Sequence, residues 1–422
     1  MSEAAPGRTH CAYSRLMPAH TVFSKGFFGD AALDYQARAM LGRSTHGASE
    51  PGEVLETLDR IHDHASWSQQ WSVTATRLQE HAGRLGDGDD RAGAAAAYLR
   101  AASYWAAVVD GLAETDDETG LRAAFDQHRD CWDAFVGCSD GAHVRADTPY
   151  EGTVLPGYLL RPDASGARRP TMVLVNGSDG ALTGLWNEAA AGALQRGLNA
   201  YIFDGPGQQS MLFRHSMPFR PDWEAVLTPV LDMLVARPDV DADRLVGYGV
   251  SQGGYWLPRS LCFEHRLIAA IADPGVVDVS SSWFEHLGKG MTGLLDRGDR
   301  AAFDRDMRLA TLIPHLRRTL KFRARPYGAG TDWFDVFCAV RDYRLTPELA
   351  ARIETPLMIT DPQDEQFWPG QSQQLAGMLG DLAHRVEFTA AEGANFHCQP
   401  LGRARTDERV FDWLAHRLPF AP

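Results

Sequence analysis

The residue best suited to chemistry in this sequence is a serine flanked by glycines. Ser251 lies in Gly249-Val-Ser-Gln-Gly253, a match to the G-x-S-x-G pattern, in which a serine occupies a sharp turn between a strand and a helix. Strand-forming residues precede it at positions 245–250, and an apolar, helix-like segment beginning at Tyr255 follows it. The glycines leave room where the turn and the helix crowd each other. The pattern therefore predicts that Ser251 is a nucleophile.

A serine hydroxyl is a weak nucleophile near neutral pH and needs a general base that is itself oriented by a third group. With this motif the acid and then the histidine follow the serine along the chain. His397 stands in Glu392-Gly-Ala-Asn-Phe-His-Cys398, directly after the strand-like run at positions 385–388. We therefore predict that His397 is the base.

The acid is expected in the segment that follows the strand-like run Pro356-Leu-Met-Ile359. Asp364 is favoured, because the acid usually lies several residues beyond the strand and this one precedes an aromatic–proline step. Asp361 is the second candidate. Asp273, directly after the strand that follows the serine motif, is the third.

An oxyanion hole needs backbone N–H groups directed at the developing negative charge. Gln252, the residue after the nucleophile, is predicted to supply one of them. The second is expected from the turn Asn176-Gly-Ser-Asp-Gly180 after the apolar run at 171–175, with Gly177 or Ser178 as the donor.

The elements that would position these residues change character along the chain. Residues 1–140 are rich in helix formers and predict a helical N-terminal domain. Short strands then alternate with helices over 141–280 and again over 346–422, a pattern typical of an α/β fold with a mostly parallel sheet. Residues 281–345 lack a strand-like run and predict a helical lid inserted between the two parts of this core.

Four stretches together resemble the α/β-hydrolases of the group that includes dihydroxypseudooxynicotine hydrolase and the fungal hydrolases that shorten pigment polyketides. They are Phe203-Asp-Gly-Pro-Gly-Gln208, the Ser251 motif, Asp364 before Trp368-Pro369, and Gly393-Ala-Asn-Phe-His-Cys398. The resemblance covers roughly residues 50–420 and implies an α/β-hydrolase fold with a triad of Ser251, Asp364 and His397. It also implies substrates that include esters and β-diketone-like compounds cleaved at a carbon–carbon bond.

Aromatic and polar residues near these motifs are the predicted substrate contacts. The insertion carries many rings and is expected to overhang the serine, so that some of them line the acyl pocket. The predicted contacts are Asp204, Tyr255, Trp256, Trp283 and Trp368.

The sequence thus predicts a serine hydrolase that acts on an ester, a lactone or a β-diketone-type carbon–carbon bond through an acyl-enzyme. One alternative is an acyl transferase or cyclase of natural-product biosynthesis that uses the same three residues, since a dry pocket would hinder hydrolysis. The other is a non-catalytic binding protein, which would keep its function without Ser251.

The composition and charge of the chain argue against some classes of binding partner. At 422 residues, 44% apolar, 23% charged and with a formal charge of −14, the chain is typical of a soluble globular protein and argues against nucleic acid or membrane as a partner. Six scattered cysteines and no signal-like N-terminus favour a reduced, cytoplasmic setting. We expect no metal and no cofactor, a small-molecule substrate, and N-terminal helices that either cap the site or form a homodimer.

Overall fold

The computed structural model describes residues 26–285, 287–328 and 332–418. Its centre is an eight-stranded sheet in the order β1-β4-β6-β5-β7-β8-β9-β10, with β2 and β3 forming a separate hairpin. The strands are β1 His143–Arg145, β2 Thr148–Tyr150, β3 Thr153–Leu155, β4 Gly157–Leu160, β5 Arg169–Val175, β6 Asn199–Phe203, β7 Val240–Val250, β8 Leu267–Asp273, β9 Leu357–Pro362 and β10 Ala383–Phe388.

From β6 to β10 the neighbouring strands run parallel, whereas β4 pairs antiparallel with both β1 and β6. The central strands are apolar runs buried on both faces, as expected for a parallel sheet covered by helices. Because the parallel strands end at the same edge, the loops after β5, β7, β9 and β10 converge there. This edge therefore holds the turn at 176–180, Ser251, and the loops that carry the candidate acids and His397.

Within the described residues five α-helices precede the sheet, and four of them begin where an aspartate side chain caps the N-terminus. Asp30, Asp63, Asp90 and Asp117 each accept a hydrogen bond from a backbone N–H of the first turn. Apolar faces at helical spacing then pack the helices together, with the Trp71 and Trp132 rings fully buried between them. These helices are α1 Ala31–Gly42, α2 Pro51–Leu58, α3 His64–Asp87, α4 Arg91–Ala113 and α5 Glu118–Gly137.

The remaining helices connect the strands, and five of them lie in the stretch between β8 and β9 that was predicted to be a helical insertion. Flanking the sheet are α6 Leu182–Leu185, α7 Ala191–Gln195, α8 Gln209–Phe213, α9 Glu224–Val235, α10 Gly253–Leu261, α16 Pro347–Ala350, α17 Gln371–Leu379 and α18 Arg403–Ala415. The insertion contains α11 Ser281–Phe284, α12 Lys289–Asp296, α13 Arg300–Ala310, α14 Pro314–Ala324 and α15 Trp333–Ala339.

The predicted α/β fold with helices before the sheet is confirmed. The run at 153–160 is divided at Pro156 between the hairpin and the sheet. The boundary of the helical N-terminal domain near residue 140 stays a prediction. Residues 1–25 of that predicted domain lie outside the described residues. Among the helices in the described ranges, none is both long and apolar enough to cross a membrane.

Candidate active site

Ser251 occupies the turn between β7 and α10 with a backbone φ of +54°, a region that L-residues rarely adopt. The turn is held because the Ser251 N–H donates to the Asp273 carbonyl at 2.7 Å. The helix that follows must approach closely, and a Cβ at Gly253 would lie 2.3 Å from the Val175 carbonyl oxygen. A strained backbone at Ser251 and a glycine close to it in the turn are the two features predicted for an exposed nucleophile.

His397 connects the serine to a carboxylate. Its Nε2 lies 2.9 Å from the Ser251 Oγ, and its Nδ1 lies 2.9 Å from both carboxylate oxygens of Glu365. The backbone N–H of His397 donates to Gln366 Oε1 at 2.9 Å, which fixes the loop. The arrangement has the serine–histidine–acid geometry of nucleophilic hydrolases.

The prediction that Asp364 is the acid beside His397 was wrong. Asp364 turns away from the imidazole, and its side chain accepts a hydrogen bond from the Asn395 amide instead. Its backbone pairs with the histidine loop, since the Asp364 N–H donates to the Asn395 carbonyl at 2.8 Å. Successive side chains of an extended segment point in opposite directions. Glu365, the next residue, therefore faces His397.

The two other candidate acids also lie elsewhere. Asp361 is bound by Arg385 and Gln373. Asp273 is fully buried beneath the serine turn, where it pairs with Arg403 at 3.0 Å and accepts a hydrogen bond from the Tyr248 hydroxyl at 2.7 Å. Asp273 thus supports the turn through its carbonyl and a buried polar network.

Electrostatics couple the histidine to the glutamate. Burial alone would lower the pKa of His397, but the charge and hydrogen bonds of Glu365 raise it above its usual value. Burial would likewise raise the pKa of Glu365, yet the His397 charge and the N–H donors of Phe367 and Trp368 hold that pKa below its usual value. Glu365 is therefore placed to stabilise the imidazolium that would form when His397 takes a proton from the serine.

The turn after β5 lies against the nucleophile, since a Cβ at Gly177 would lie 2.8 Å from the Ser251 Cβ. The Gly177 N–H is already used, because it donates to Asn176 Oδ1 at 2.8 Å. Within the described part of the chain, the N–H groups of Ser178 and Gln252 donate to no protein acceptor. Of the two predicted donors in the turn, Ser178 is therefore the one left free to bind an oxyanion.

The Asp204–Gln208 turn supports the turn at 176–180 from which an oxyanion donor is predicted. The Gln208 amide donates to the carbonyls of Asn176 and Gly177 at 2.9 and 3.0 Å. The Asp204 side chain is fully buried, paired with Arg129, and accepts a hydrogen bond from the Ser210 N–H at 3.1 Å. Asp204 therefore lies in the buried support of this turn, and its contact with substrate stays a prediction.

Two of the predicted aromatic contacts lie in the core, and their contact with substrate stays a prediction. Tyr255 and Trp256 are fully buried on the core side of α10. The Tyr255 hydroxyl donates to the Pro221 carbonyl, and the Trp256 ring stacks on Trp223 at 4.3 Å. A helix exposes the face opposite its apolar stripe, and these residues belong to that stripe.

Trp368 and Trp283 stay predicted contacts. The centre of the His397 ring lies 5.7 Å from that of Trp368, 4.7 Å from that of Phe367 and 6.3 Å from that of Tyr35 in α1. Trp283 belongs to the insertion and packs its ring edge-on against Tyr327 at 5.5 Å. Tyr35, which the sequence analysis missed, also donates its hydroxyl to the His397 carbonyl at 3.2 Å.

Within the described ranges, His, Cys, Asp and Glu side chains form no group of three or more that could hold a metal ion. The expectation of a reaction without a metal or cofactor remains a prediction.

Comparison with known proteins agrees with this fold and geometry. The chain is 30% identical to Hydrolase LUC6 of a Fusarium species over 428 aligned positions, which cover 94% of this chain and 97% of that protein. It is 32% identical to 20-hydroxy-prefusarin hydrolase FUS2 of Gibberella moniliformis, with the same coverage, and 30% identical to Alpha/beta hydrolase psoB of Aspergillus fumigatus over 72% of this chain and 70% of psoB.

Two solved structures share the fold at 18% identity. The 2,6-dihydroxy-pseudo-oxynicotine hydrolase superposes with a TM-score of 0.71 over 89% of this chain and 95% of its own. AbyA5 gives a TM-score of 0.61 over 87% and 90%. No family model matches the sequence. The chain belongs to the α/β-hydrolase family and is a hydrolase, as the sequence motifs indicated.

Proposed function

We propose that the protein is a serine hydrolase with Ser251, His397 and Glu365 as its triad. It cleaves the bond between a substrate carbonyl carbon and its leaving group through an acyl-enzyme. The observation that carries this proposal is the continuous path of 2.9 Å contacts from the Ser251 Oγ through the imidazole to the Glu365 carboxylate. The strained φ of Ser251 and two unused N–H groups beside it support the same chemistry.

In the first half of the reaction His397 takes the proton as the Ser251 Oγ attacks the substrate carbonyl carbon. The carbonyl oxygen becomes an oxyanion, which the N–H groups of Gln252 and Ser178 stabilise. Collapse of this intermediate breaks the bond to the leaving group, and His397 returns the proton to it. Glu365 keeps the imidazole oriented and stabilises its positive charge.

In the second half His397 takes a proton from a water molecule as that water attacks the acyl carbon. His397 then returns the proton to the Ser251 Oγ as the acyl–oxygen bond breaks, which releases a carboxylic acid and free Ser251. The substrate is a small molecule whose reacting group is an ester, a lactone or a ketone with a stabilised carbanion leaving group. FUS2, whose name describes it as a hydrolase of 20-hydroxy-prefusarin, supports a natural-product substrate.

The test is the intact mass of the protein after exposure to a fluorophosphonate. We expect one adduct on the wild type and none on Ser251→Ala, because only an activated serine reacts. Glu365→Gln should label much more slowly, whereas Asp364→Asn should label at close to the wild-type rate. Failure of folded wild-type protein to form an adduct would refute the assignment.

A second candidate is acyl transfer to an organic nucleophile. The His397 and Glu365 side chains are only 3% and 5% exposed, and the aromatic rings around them limit access of water. Adding a series of alcohols and amines to an ester assay tests this. Ester or amide products in excess of acid would favour transfer, and acid alone would favour hydrolysis.

A further inference from the structure

The arginine and lysine side chains on and just after α14 of the insertion differ in whether they form ion pairs. Four of the basic residues on and just after this helix pair with acids of the N-terminal helical region: Arg317 and Lys321 with Asp116, Arg318 with Glu114, and Arg325 with Glu118. These pairs fix α14 against the N-terminal helices. Arg323, on the same helix, has no carboxylate within ion-pair distance among the described residues.

Arg323 is instead directed inward and held in place. Its guanidinium lies 4.5 Å from the centre of the Trp283 ring and donates to the Ser282 carbonyl at 3.1 Å and the Ser282 hydroxyl at 2.8 Å. Burial lowers the pKa of Arg323, although the group stays a cation because its ordinary pKa is so high. A fixed, partly buried guanidinium without a counterion is suited to bind an anion.

Two further polar atoms beside it lack partners. The Tyr327 hydroxyl is buried and makes no hydrogen bond with a described residue, and its ring is wedged edge-on against Phe219, Trp283 and Tyr343. The Gln252 side chain is 4% exposed, and its Nε2 is likewise unpartnered. Leaving a buried donor without an acceptor is unfavourable, so such atoms call for a ligand.

These donors belong to one place beside the nucleophile. Gln252 follows Ser251 directly, and its amide approaches the Tyr327 hydroxyl without completing a hydrogen bond. Arg323 and Tyr327 both lie against the Trp283 ring, since its centre is 4.5 Å from the Arg323 guanidinium and 5.5 Å from the Tyr327 ring centre. Arg323, Tyr327 and Gln252 thus present donors to a shared volume next to the reacting carbonyl.

The acids that face this volume do not cancel its positive charge. Burial raises the pKa of Asp179, although Arg323 opposes the shift. Burial and the neighbouring Asp179 raise the pKa of Asp110, on α4, to about 7. Neither acid lies within ion-pair distance of Arg323 among the described residues, so the guanidinium stays available to a ligand.

We propose that Arg323, Tyr327 and the Gln252 side chain form a subsite that binds an anionic oxygen of the substrate, either a carboxylate or an ionised phenol. The proposal rests on the function proposed above and narrows its substrate class to acidic acyl compounds. Arg323 supplies the charge, and the neutral donors of Tyr327 and Gln252 share the remaining lone pairs. The subsite positions the substrate and takes no part in bond making or breaking.

The test compares matched esters that differ only in one charge. One pair is the 4-nitrophenyl half-ester of glutaric acid and its methyl ester. The other is the 4-nitrophenyl ester of a fluorinated hydroxyphenylpropanoic acid, ionised in mildly basic buffer, and its methyl ether. We expect wild-type kcat/KM to be about ten- to a hundredfold higher for the charged member of at least one pair, since hydrogen bonds to charged groups contribute that much. The pair that shows the preference identifies the anion.

Arg323→Gln should abolish the preference and Arg323→Lys should restore part of it, whereas Tyr327→Phe should reduce it severalfold. Arg317→Gln, which removes an exposed cation from the same helix, should leave it intact. Labelling of Ser251 by a neutral fluorophosphonate should stay within about twofold of wild type in all four variants, which separates this subsite from the triad. Equal rates for charged and neutral esters, or an unchanged preference in Arg323→Gln, would overturn the proposed subsite. Failure of the wild type to be labelled at Ser251 would instead overturn the proposed function.

Discussion

At the scale of single residues, the role proposed for His397 depends on Glu365. Both of its carboxylate oxygens contact the Nδ1 of His397 at 2.9 Å, and the Phe367 N–H binds one of them at 2.9 Å. We expect Glu365→Gln to lower kcat/KM by about 10³- to 10⁴-fold, because a neutral amide neither stabilises the imidazolium nor selects the required tautomer. Steady-state kinetics on an activated ester measure the loss.

Asp364→Asn is the matched control for that substitution. It neutralises the neighbouring carboxylate, which contacts Asn395 and not the imidazole. We expect kcat/KM to stay within about tenfold of wild type, since the backbone pairing of this loop with Asn395 is unchanged. Equal losses in the two variants would show that neither acid has a specific role.

The pH dependence follows from the pKa of His397, which Glu365 raises above its usual value against the opposing effect of burial. A protonated imidazole cannot accept the serine proton, so kcat/KM should fall as the pH drops through this raised pKa. Removing the negative charge in Glu365→Gln should shift the acidic limb of the profile to lower pH. A pH series for both proteins, with stability checked at each pH, tests the direction of that shift.

How far the sequence could predict the site is clearest at these two acids. The serine, the histidine and the loop that carries the acid follow from motif and strand order. The choice between Asp364 and Glu365 does not, because it depends on which of two successive side chains faces the imidazole. The isolated bridge that pairs Asp364 with Phe396 fixes this alternation, and a long-range pairing of two loops leaves no local signal.

At the scale of secondary-structure elements, the turn after β5 and the turn after β7 form one unit. Gly177 packs directly on the serine, and Gln208 binds the carbonyl oxygens of the Gly177 turn. We expect Gly177→Ala to lower kcat about 10- to 100-fold, because the added methyl group must displace the turn and its oxyanion donor. The measurement is single-turnover acylation, which reports the chemical step alone.

Gly52→Ala provides the comparison for this variant. Gly52 lies in α2, and a Cβ there would meet no atom within 4 Å. Alanine also favours the helix, so activity should be unchanged and stability should rise slightly. A comparable loss of activity in both variants would indicate a general effect of the substitution and not the contact with Ser251.

Periodicity predicted the elements better than it predicted their accessible faces. The strands around Ser251 and the helices of the insertion follow from apolar runs and helical spacing. The same spacing places Tyr255 and Trp256 on the buried stripe of α10, yet their proximity in sequence to Ser251 suggested substrate contacts. Tyr35 contacts the His397 loop although 362 positions separate the two residues, so sequence proximity gave no sign of it.

At the scale of the whole molecule, the N-terminal helices are part of the site's support. Tyr35 of α1 binds the His397 carbonyl, and His46 pairs with Asp407 of the last helix at 2.7 Å. Arg129 of α5 pairs with Asp204, whose turn holds the oxyanion turn in place. The catalytic loops therefore depend on contacts made by the first part of the chain.

The Arg129–Asp204 pair is the most deeply buried of these connections, with side chains 5% and 0% exposed. We expect Arg129→Met to reduce the free energy of unfolding by about 3–5 kcal/mol, because it leaves a buried carboxylate without its counterion. Arg129→Met combined with Asp204→Leu should recover much of that loss, since no uncompensated charge remains. Urea unfolding gives the free energy of unfolding of the wild type, the single variant and the double variant. The kcat/KM of the double variant then shows whether the proposed oxyanion turn needs the ion pair itself. A double variant that regains stability but stays slow would mean that the N-terminal helices position the turn through this pair, whereas full activity would mean that packing alone suffices.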